Sequence, residues 1–311
     1  MRESIVLGTR GSDLALTQSH MVEDALRSHW PGLEIGTRIV RTSGDETVGR
    51  SDTKIATRAG RKGLFTAEIE RALLAGTIDI AVHSAKDLPS ILGSGTEIAA
   101  VLPRASVEDV LVSTNRYDLQ SLPANAAVAT GSVRRRHQLR WIRSDLQIVD
   151  LHGNVPTRLR KLGRQQWDAA VLARSGLERL GLEVRDKPME FEHFQFSLSV
   201  LSANTFVPAG GQGIIAMQIR SEDDRTRKLL DPISDFDTRW CLRAEREFLR
   251  LLHGDCNQPV GVFAIVTGRV MKLRGQIFRP EALSPQEAVV EGKTENAERL
   301  AGELLHDLNG Q

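Results

Sequence analysis

The 311-residue chain carries 41 Lys plus Arg against 40 Asp plus Glu, so it has no global field to select nucleic acid or an anionic membrane surface. With 41% hydrophobic and 26% charged residues it suits a soluble globular fold of two or three domains, and no run of about 18 apolar residues is present to cross a bilayer. Only two cysteines, Cys241 and Cys256, occur; they exclude a disulfide framework and fit a reducing cytoplasm.

In chain order, "SIVLGTR" predicts a strand and turn, too short and too soon interrupted for a signal peptide. "SDLALTQSHMVEDALRSHWPG" predicts a helix capped near Ser12 and stopped at Pro31. "GLFTAEIERALLAG" predicts another, with Phe65, Ile69 and Leu73 on one face and Gly76 placed to end it. In "DIAVHSAKDLPS" the alternation of Ile78, Ile80 and Val82 predicts a strand. It runs out through Ser84, Lys86 and Asp87 before Pro89 forbids further regular structure. A second block of strand, polar turn and helix begins near Glu108 with "EDVLVS", "AAVATGSVRRRHQLRWI", "LQIVDLHGNVPTRLRKL" and "WDAAVLARSGLERLGL". From about Pro232 the pattern turns to α+β, with a helix "DTRWCLRAEREFLRLLHG", strands "VGVFAIVTG" and "VMKLRGQIF", and a last helix "TENAERLAGELLHDL". Alternating strands and helices predict α/β architecture with a mainly parallel sheet and a smaller third domain.

Ligands of open α/β sheets sit beyond the carboxyl ends of the strands. The residues that follow strands here are of one kind: Arg10 and Ser12; Ser84, Lys86 and Asp87; Ser132, Arg134 and Arg135; His152 and Arg158; Arg179. Arg binds carboxylate or phosphate bidentately, and a Ser before a helix adds backbone donors. The implied ligand carries several negative charges, and Asp87 is the conspicuous anion facing it. Any one of these arginines could equally be solvated surface; their recurrence at strand ends favours the crevice.

Other motifs carry less. "GGQGIIA" (210–216) imitates half a dinucleotide fingerprint but follows no apolar strand, and "GRKGLF" lacks the spacing of a P-loop. The eight histidines fall at no metal-ligand spacing. "RRRHQLRWIR" is a single basic patch on a neutral chain, weak grounds for nucleic acid. Cys241 reads as a buried apolar residue, whereas Cys256, in "GDCNQPVG", sits on a turn where a thiol is accessible.

"GTRGSDLAL", "TSGD", "GRKGLFTAEIERALL", "DIAVHSAKDLP", "TGSVRRRHQL", "HGNVPTRL", "GLERLGL", "VPAGGQGIIA" and "GDCNQPVG" stand in the order seen in the porphobilinogen deaminase (hydroxymethylbilane synthase) family, which the chain resembles from about residue 5 to its end. The resemblance implies two type II periplasmic-binding-protein-like α/β domains with mixed sheets around a crevice, and a small C-terminal α+β domain. The implied divisions are 1–102 with 203–220, 106–200, and 232–311, with hinges near Pro103 and Pro208. It implies a transferase of haem and porphyrin biosynthesis that joins four porphobilinogen molecules head to tail with release of ammonia, giving the linear tetrapyrrole hydroxymethylbilane. The chain grows on a dipyrromethane cofactor, held by a thioether that would fall on Cys256.

Transferred residue by residue, the resemblance gives Asp87 the catalytic role: stabilising the cation that forms as ammonia leaves, and moving protons. Cofactor contacts fall to Ser84, Lys86, Asp87, Ser132, Arg134, Arg135, His152 and Arg158, and substrate contacts to Arg10, Ser12, Lys62, Phe65, Arg158 and Arg179. No metal is implied. A cytoplasmic monomer with porphobilinogen as its partner, and neither nucleic acid nor membrane, completes the expectation. The family commonly has Arg at His152 and Lys at Arg58, so one carboxylate contact becomes pH-dependent. The rival readings are a non-enzymatic two-domain anion-binding module and a paralogue that has lost catalysis.

Overall fold

The computed structural model describes residues 4–41, 60–185, 188–252, 259–280, 282 and 284–310, and the helical backbone alone at 60–65. Three sheets organise it. The first contains β1 (Ser4–Thr9), β2 (Glu34–Ile39), β3 (Ile80–Ser84), β4 (Thr96–Val101) and β11 (Ile215–Arg220) in the order β2-β1-β3-β11-β4. Its β1 runs parallel to β2 and β3, while β11 lies antiparallel between β3 and β4. Helices α1 (Asp13–His29) and α2 (Gly60–Leu74) serve this sheet.

The second sheet contains β5 (Asp109–Ser113), β6 (Ala127–Ala129), β7 (Gln147–Val149), β8 (Ala169–Ala173), β9 (Met189–Phe191) and β10 (Phe194–Leu201), ordered β7-β6-β8-β5-β10-β9. Its helices are α3 (Val133–Ile142), α4 (Val155–Arg164) and α5 (Arg174–Arg179). After α6 (Asp224–Leu230) and α7 (Phe236–Leu251), the strands β12 (Val260–Thr267), β13 (Val270–Ile277) and β14 (Gln286–Lys293) form an antiparallel meander, closed by α8 (Ala297–Asn309).

In the first sheet β1, β2, β3 and β4 run one way and β11 the other; in the second β6, β7, β8 and β10 run one way and β5 and β9 the other, with the chain crossing from β4 to β5 and returning from β10 to β11. The sheets are mixed for this reason, where strand and helix alternation alone predicted mainly parallel ones. The double crossing is the two-lobed fold expected from the resemblance. β2, β4, β9, β10, β11 and β14 escaped prediction; β14 exposes most of one face and so lacks a continuous apolar run.

Helix ends follow the caps read from sequence. Ser12 Oγ accepts from Ala15 N at 3.4 Å, and Ser132 Oγ accepts from Arg135 N at 3.4 Å. Gly76 stands past the end of α2 with φ +68°. Helix α7 ends at Leu251, with Cys241 and Phe248 buried against β12 and β13.

Candidate active site

β3 is buried on both faces: Ile80 and Val82 enter one core cluster, Ala81 another. It gives way at Ser84 to a single 3-10 turn, Ala85–Asp87, before Pro89. The turn carries Lys86 and Asp87, both half-buried, away from the sheet. Behind them passes the "GGQG" segment, whose role is close approach and not nucleotide binding. Gly211 has φ +76°, and a Cβ there would lie 2.9 Å from both the Ala85 carbonyl carbon and Lys86 N. Gly211→Ala is therefore expected to lose about 1–3 kcal/mol of stability and to displace the turn. A urea midpoint equal to the parent's would show that the contact relaxes freely.

Lys86 makes no hydrogen bond to a described residue. Burial lowers its pKa to about 8, opposed by Asp87, with Arg135 lowering it, Asp109 raising it and Arg158 lowering it further. Arg158, in the first turns of α4, donates from Nε to Gly153 O at 2.7 Å. Its pKa is pulled to about 10 by burial and then by Arg135, with Asp87 opposing. The Asp87 carboxylate accepts no hydrogen bond from the described residues, so its oxygens are available to a ligand N–H.

Arg134 and Arg135, the buried pair in the first turn of α3, converge on the fully buried Asp109 at 2.8 and 2.7 Å. Their Nε atoms are buried without a hydrogen bond among the described residues. Arg179 donates to Gly213 O at 2.7 Å, and burial pulls its pKa to about 10. Ser84 exchanges hydrogen bonds with Gln18 at 2.8 and 3.0 Å. Arg10 is half-buried just past β1, close enough to help lower the pKa of buried His83 to about 4, mainly a consequence of burial. His152 is exposed, and its carbonyl accepts from Lys161 Nζ at 3.0 Å. Lys86, Asp87, Arg135 and Arg158 therefore form one electrostatically coupled group, whereas His152 stands at the rim. Cys256, Arg58, the "TSGD" stretch and the side chains of Lys62 and Phe65 lie outside the described residues.

Sequence reasoning missed Asp109, Gln18 and Arg246. Asp109 opens an apolar strand and looks like its polar flank; its burial is purely tertiary. Arg246, on α7, donates to Ser90 O at 3.1 Å and has no acidic partner among the described residues. Burial pulls its pKa to about 10. A lone Arg on an amphipathic helix carries no signal of this in the sequence.

Two α/β lobes bring Lys86, Arg135 and Arg158 around the Asp87 carboxylate, an excess of positive charge among the described residues that suits an anionic ligand. The chain belongs to the porphobilinogen deaminase family. The family model described as the porphobilinogen deaminase dipyromethane cofactor binding domain matches residues 5–228, and that of the porphobilinogen deaminase C-terminal domain matches 240–309. The chain is 43% identical to porphobilinogen deaminase of Nitrobacter winogradskyi over 304 residues, covering 97% of this chain and 92% of that protein. It is 45% identical to that of Roseiflexus castenholzii over 277 residues, covering 89% and 86%.

The described residues fit a dipyrromethane. That group bears an acetate and a propionate on each ring and two pyrrole N–H groups. Lys86, Arg135 and Arg158 supply positive charge that Asp109 offsets only in part, the buried Nε of Arg135 has no acceptor among the described residues, and Asp87 offers an acceptor for N–H.

Proposed function

We infer that this chain condenses four porphobilinogen molecules head to tail, releasing ammonia, to form hydroxymethylbilane. The observation that carries the reading is the group of buried and half-buried cations, Arg135, Lys86 and Arg158, around Asp87: such charge is unfavourable in an empty crevice and is matched by a polycarboxylate. When bound through a thioether to Cys256, dipyrromethane supplies the pyrrole end on which the chain is extended. The chain's own residues do the rest. Lys86 and Arg158 hold carboxylates of the anion, with Arg135 behind them and Ser84, Ser132, Arg134 and His152 bordering the same site. Arg10, Ser12, Lys62, Phe65 and Arg179 take the incoming substrate. Asp87 faces the pyrrole N–H groups, stabilises positive charge on the substrate ring as ammonia departs, and accepts the proton that must leave when the rings join.

The working unit is three domains, 1–102 with 203–220, 106–200 and 232–311, and the crossings near Pro103 and Pro208 are its hinges. On this reading it works as a cytoplasmic monomer on a small-molecule substrate, without nucleic acid or membrane, as the family resemblance implies; its charges balance at 41 against 40, and no helix among the described residues is long and apolar enough to cross a membrane. The family's covalent anchor, rather than mere closure on an anion, separates this reading from that of a binding module.

Intact mass of the freshly purified protein tests it. The expected result is an excess equal to one dipyrromethane, absent from Cys256→Ser. An unmodified mass that stays unmodified after incubation with porphobilinogen would sink the enzyme reading and leave the anion binder.

A further inference from the structure

We propose that Asp109, at the start of β5, is a positioning residue that fixes both the orientation and the charge of the crevice's cations; this rests on the reading of the crevice as a polycarboxylate site. Its carboxylate is fully buried and spans two lobes. Oδ2 accepts from Arg134 Nη2 at 2.8 Å, while Oδ1 accepts from Arg135 Nη2 at 2.7 Å and from Gln212 Nε2 at 3.0 Å. Adjacent helix positions project about 100° apart, yet both guanidiniums reach one carboxylate. Asp109 is the group that draws them together.

The two arginines are left in different states. Arg134 spends its remaining Nη1 on Gln138 Oε1 at 2.8 Å and Val207 O at 2.9 Å, and so becomes a tie between the second lobe and the returning chain. Arg135 gives Nη1 to Val171 O at 2.8 Å, and its charge, unlike that of Arg134, bears on Lys86. Gln212 closes the circuit. It belongs to the segment whose Gly211 lies against Lys86 N, so the carboxylate that holds the arginines also holds the backing of the lysine. One carboxylate between two guanidiniums leaves a net charge of about +1 where an unanchored pair would present about +2.

The charged groups that bear on Lys86 are Asp87, Arg135, Asp109 and Arg158. Asp109 and Asp87 favour its protonated form; the two arginines and burial disfavour it. Below a pH of about 8 Lys86 is cationic and can hold a carboxylate; above it the ammonium is lost. Removing the Asp109 charge deletes one of the two stabilising anions and leaves Arg135 uncompensated, so Lys86 loses its proton at lower pH.

The test follows Lys86 acetylation by acetic anhydride, read by mass spectrometry over a pH series, in the full chain with and without Asp109→Asn. Both proteins carry Cys256→Ser, so a difference in covalent load does not enter. The expected result is a labelling midpoint lower by about one pH unit in Asp109→Asn, and a retained midpoint in Asp109→Glu, which keeps the charge. A merely structural role would leave the midpoint of the folded protein where it was, and that outcome overturns the proposal. Should Asp109→Asn fail to fold, Arg135→Gln is the alternative: the midpoint is then expected to rise, and an unchanged one overturns the proposal equally. The assay contains no porphobilinogen. The functional reading is judged separately, by the intact mass of the parent protein: a shifted midpoint beside a parent that never carries dipyrromethane would keep Asp109 in this role while sinking the functional reading, and a dipyrromethane-laden parent beside a fixed midpoint would do the reverse.

Discussion

Asp87→Asn is expected to reduce porphobilinogen consumption on the order of 10³-fold while leaving the fold intact. The magnitude is that of deleting a positioned charge that meets its complement only in the transition state, combined with loss of a proton acceptor. Asn preserves shape and a carbonyl acceptor but removes the negative charge, so ligand binding should change far less than turnover. The fold is spared because the Asp87 carboxylate accepts no hydrogen bond from the described residues, and the turn beneath it is held by the backbone: Leu88 N donates to Ala85 O at 3.2 Å and Ala85 N to Ile214 O at 2.9 Å. A stability change within about 0.5 kcal/mol is therefore expected.

A secondary effect has a definite sign. Asp87 is the first influence opposing the burial of Lys86, so the Asn variant should also lose its Lys86 proton at lower pH, moving the alkaline limb of any residual activity toward neutrality. Initial rates and urea unfolding on the same preparation check both statements. Activity within about tenfold of the parent would remove Asp87 from the chemistry.

Much of this site was legible because its chemistry is local. A strand that ends in a Lys–Asp pair before a proline announces a turn with exposed charge, and hydroxyls before helices announce caps; Ser12 and Ser132 occupy those places. What stayed hidden depends on which segments meet in space. Asp109 reads as the edge of an apolar strand, yet its burial comes from arginines 25 and 26 residues on and a glutamine 103 residues on. The "GGQG" run has its meaning in contact with residues 85 and 86, more than a hundred positions earlier. The strand order was hidden for the same reason, since β11 joins a sheet built by residues 4–101, and β5 lies between β8 and β10 and not beside its chain neighbour β6. Periodicity identifies a strand but says nothing of its neighbours.

The same dependence on distant segments sets the second large effect, at Glu245. This carboxylate, fully buried on α7, takes Arg104 Nη1 at 2.6 Å and Nη2 at 3.2 Å, together with Gly211 N at 2.6 Å and Ala264 N at 2.8 Å. It thereby joins the third sheet, the first crossing and the segment behind Lys86. Arg104 adds a bond from Nε to Gln212 O at 2.9 Å and lies 5.1 Å from the centroid of Phe263. Glu245→Gln keeps the volume but leaves the guanidinium buried without its counter-charge, which costs about 3–5 kcal/mol. Replacing both partners with Arg104→Met and Glu245→Leu should recover only part of this. The apolar pair removes the stranded charge, but the amides of Gly211 and Ala264 then lose their acceptor. Urea unfolding gives the loss, and amide hydrogen exchange locates it. Protection should fall at Gly211 and Ala264 in both variants, before the core of the first sheet is affected. A Glu245→Gln protein within about 1 kcal/mol of the parent, with both amides still protected, would mean that the three segments are held together by their apolar contacts alone.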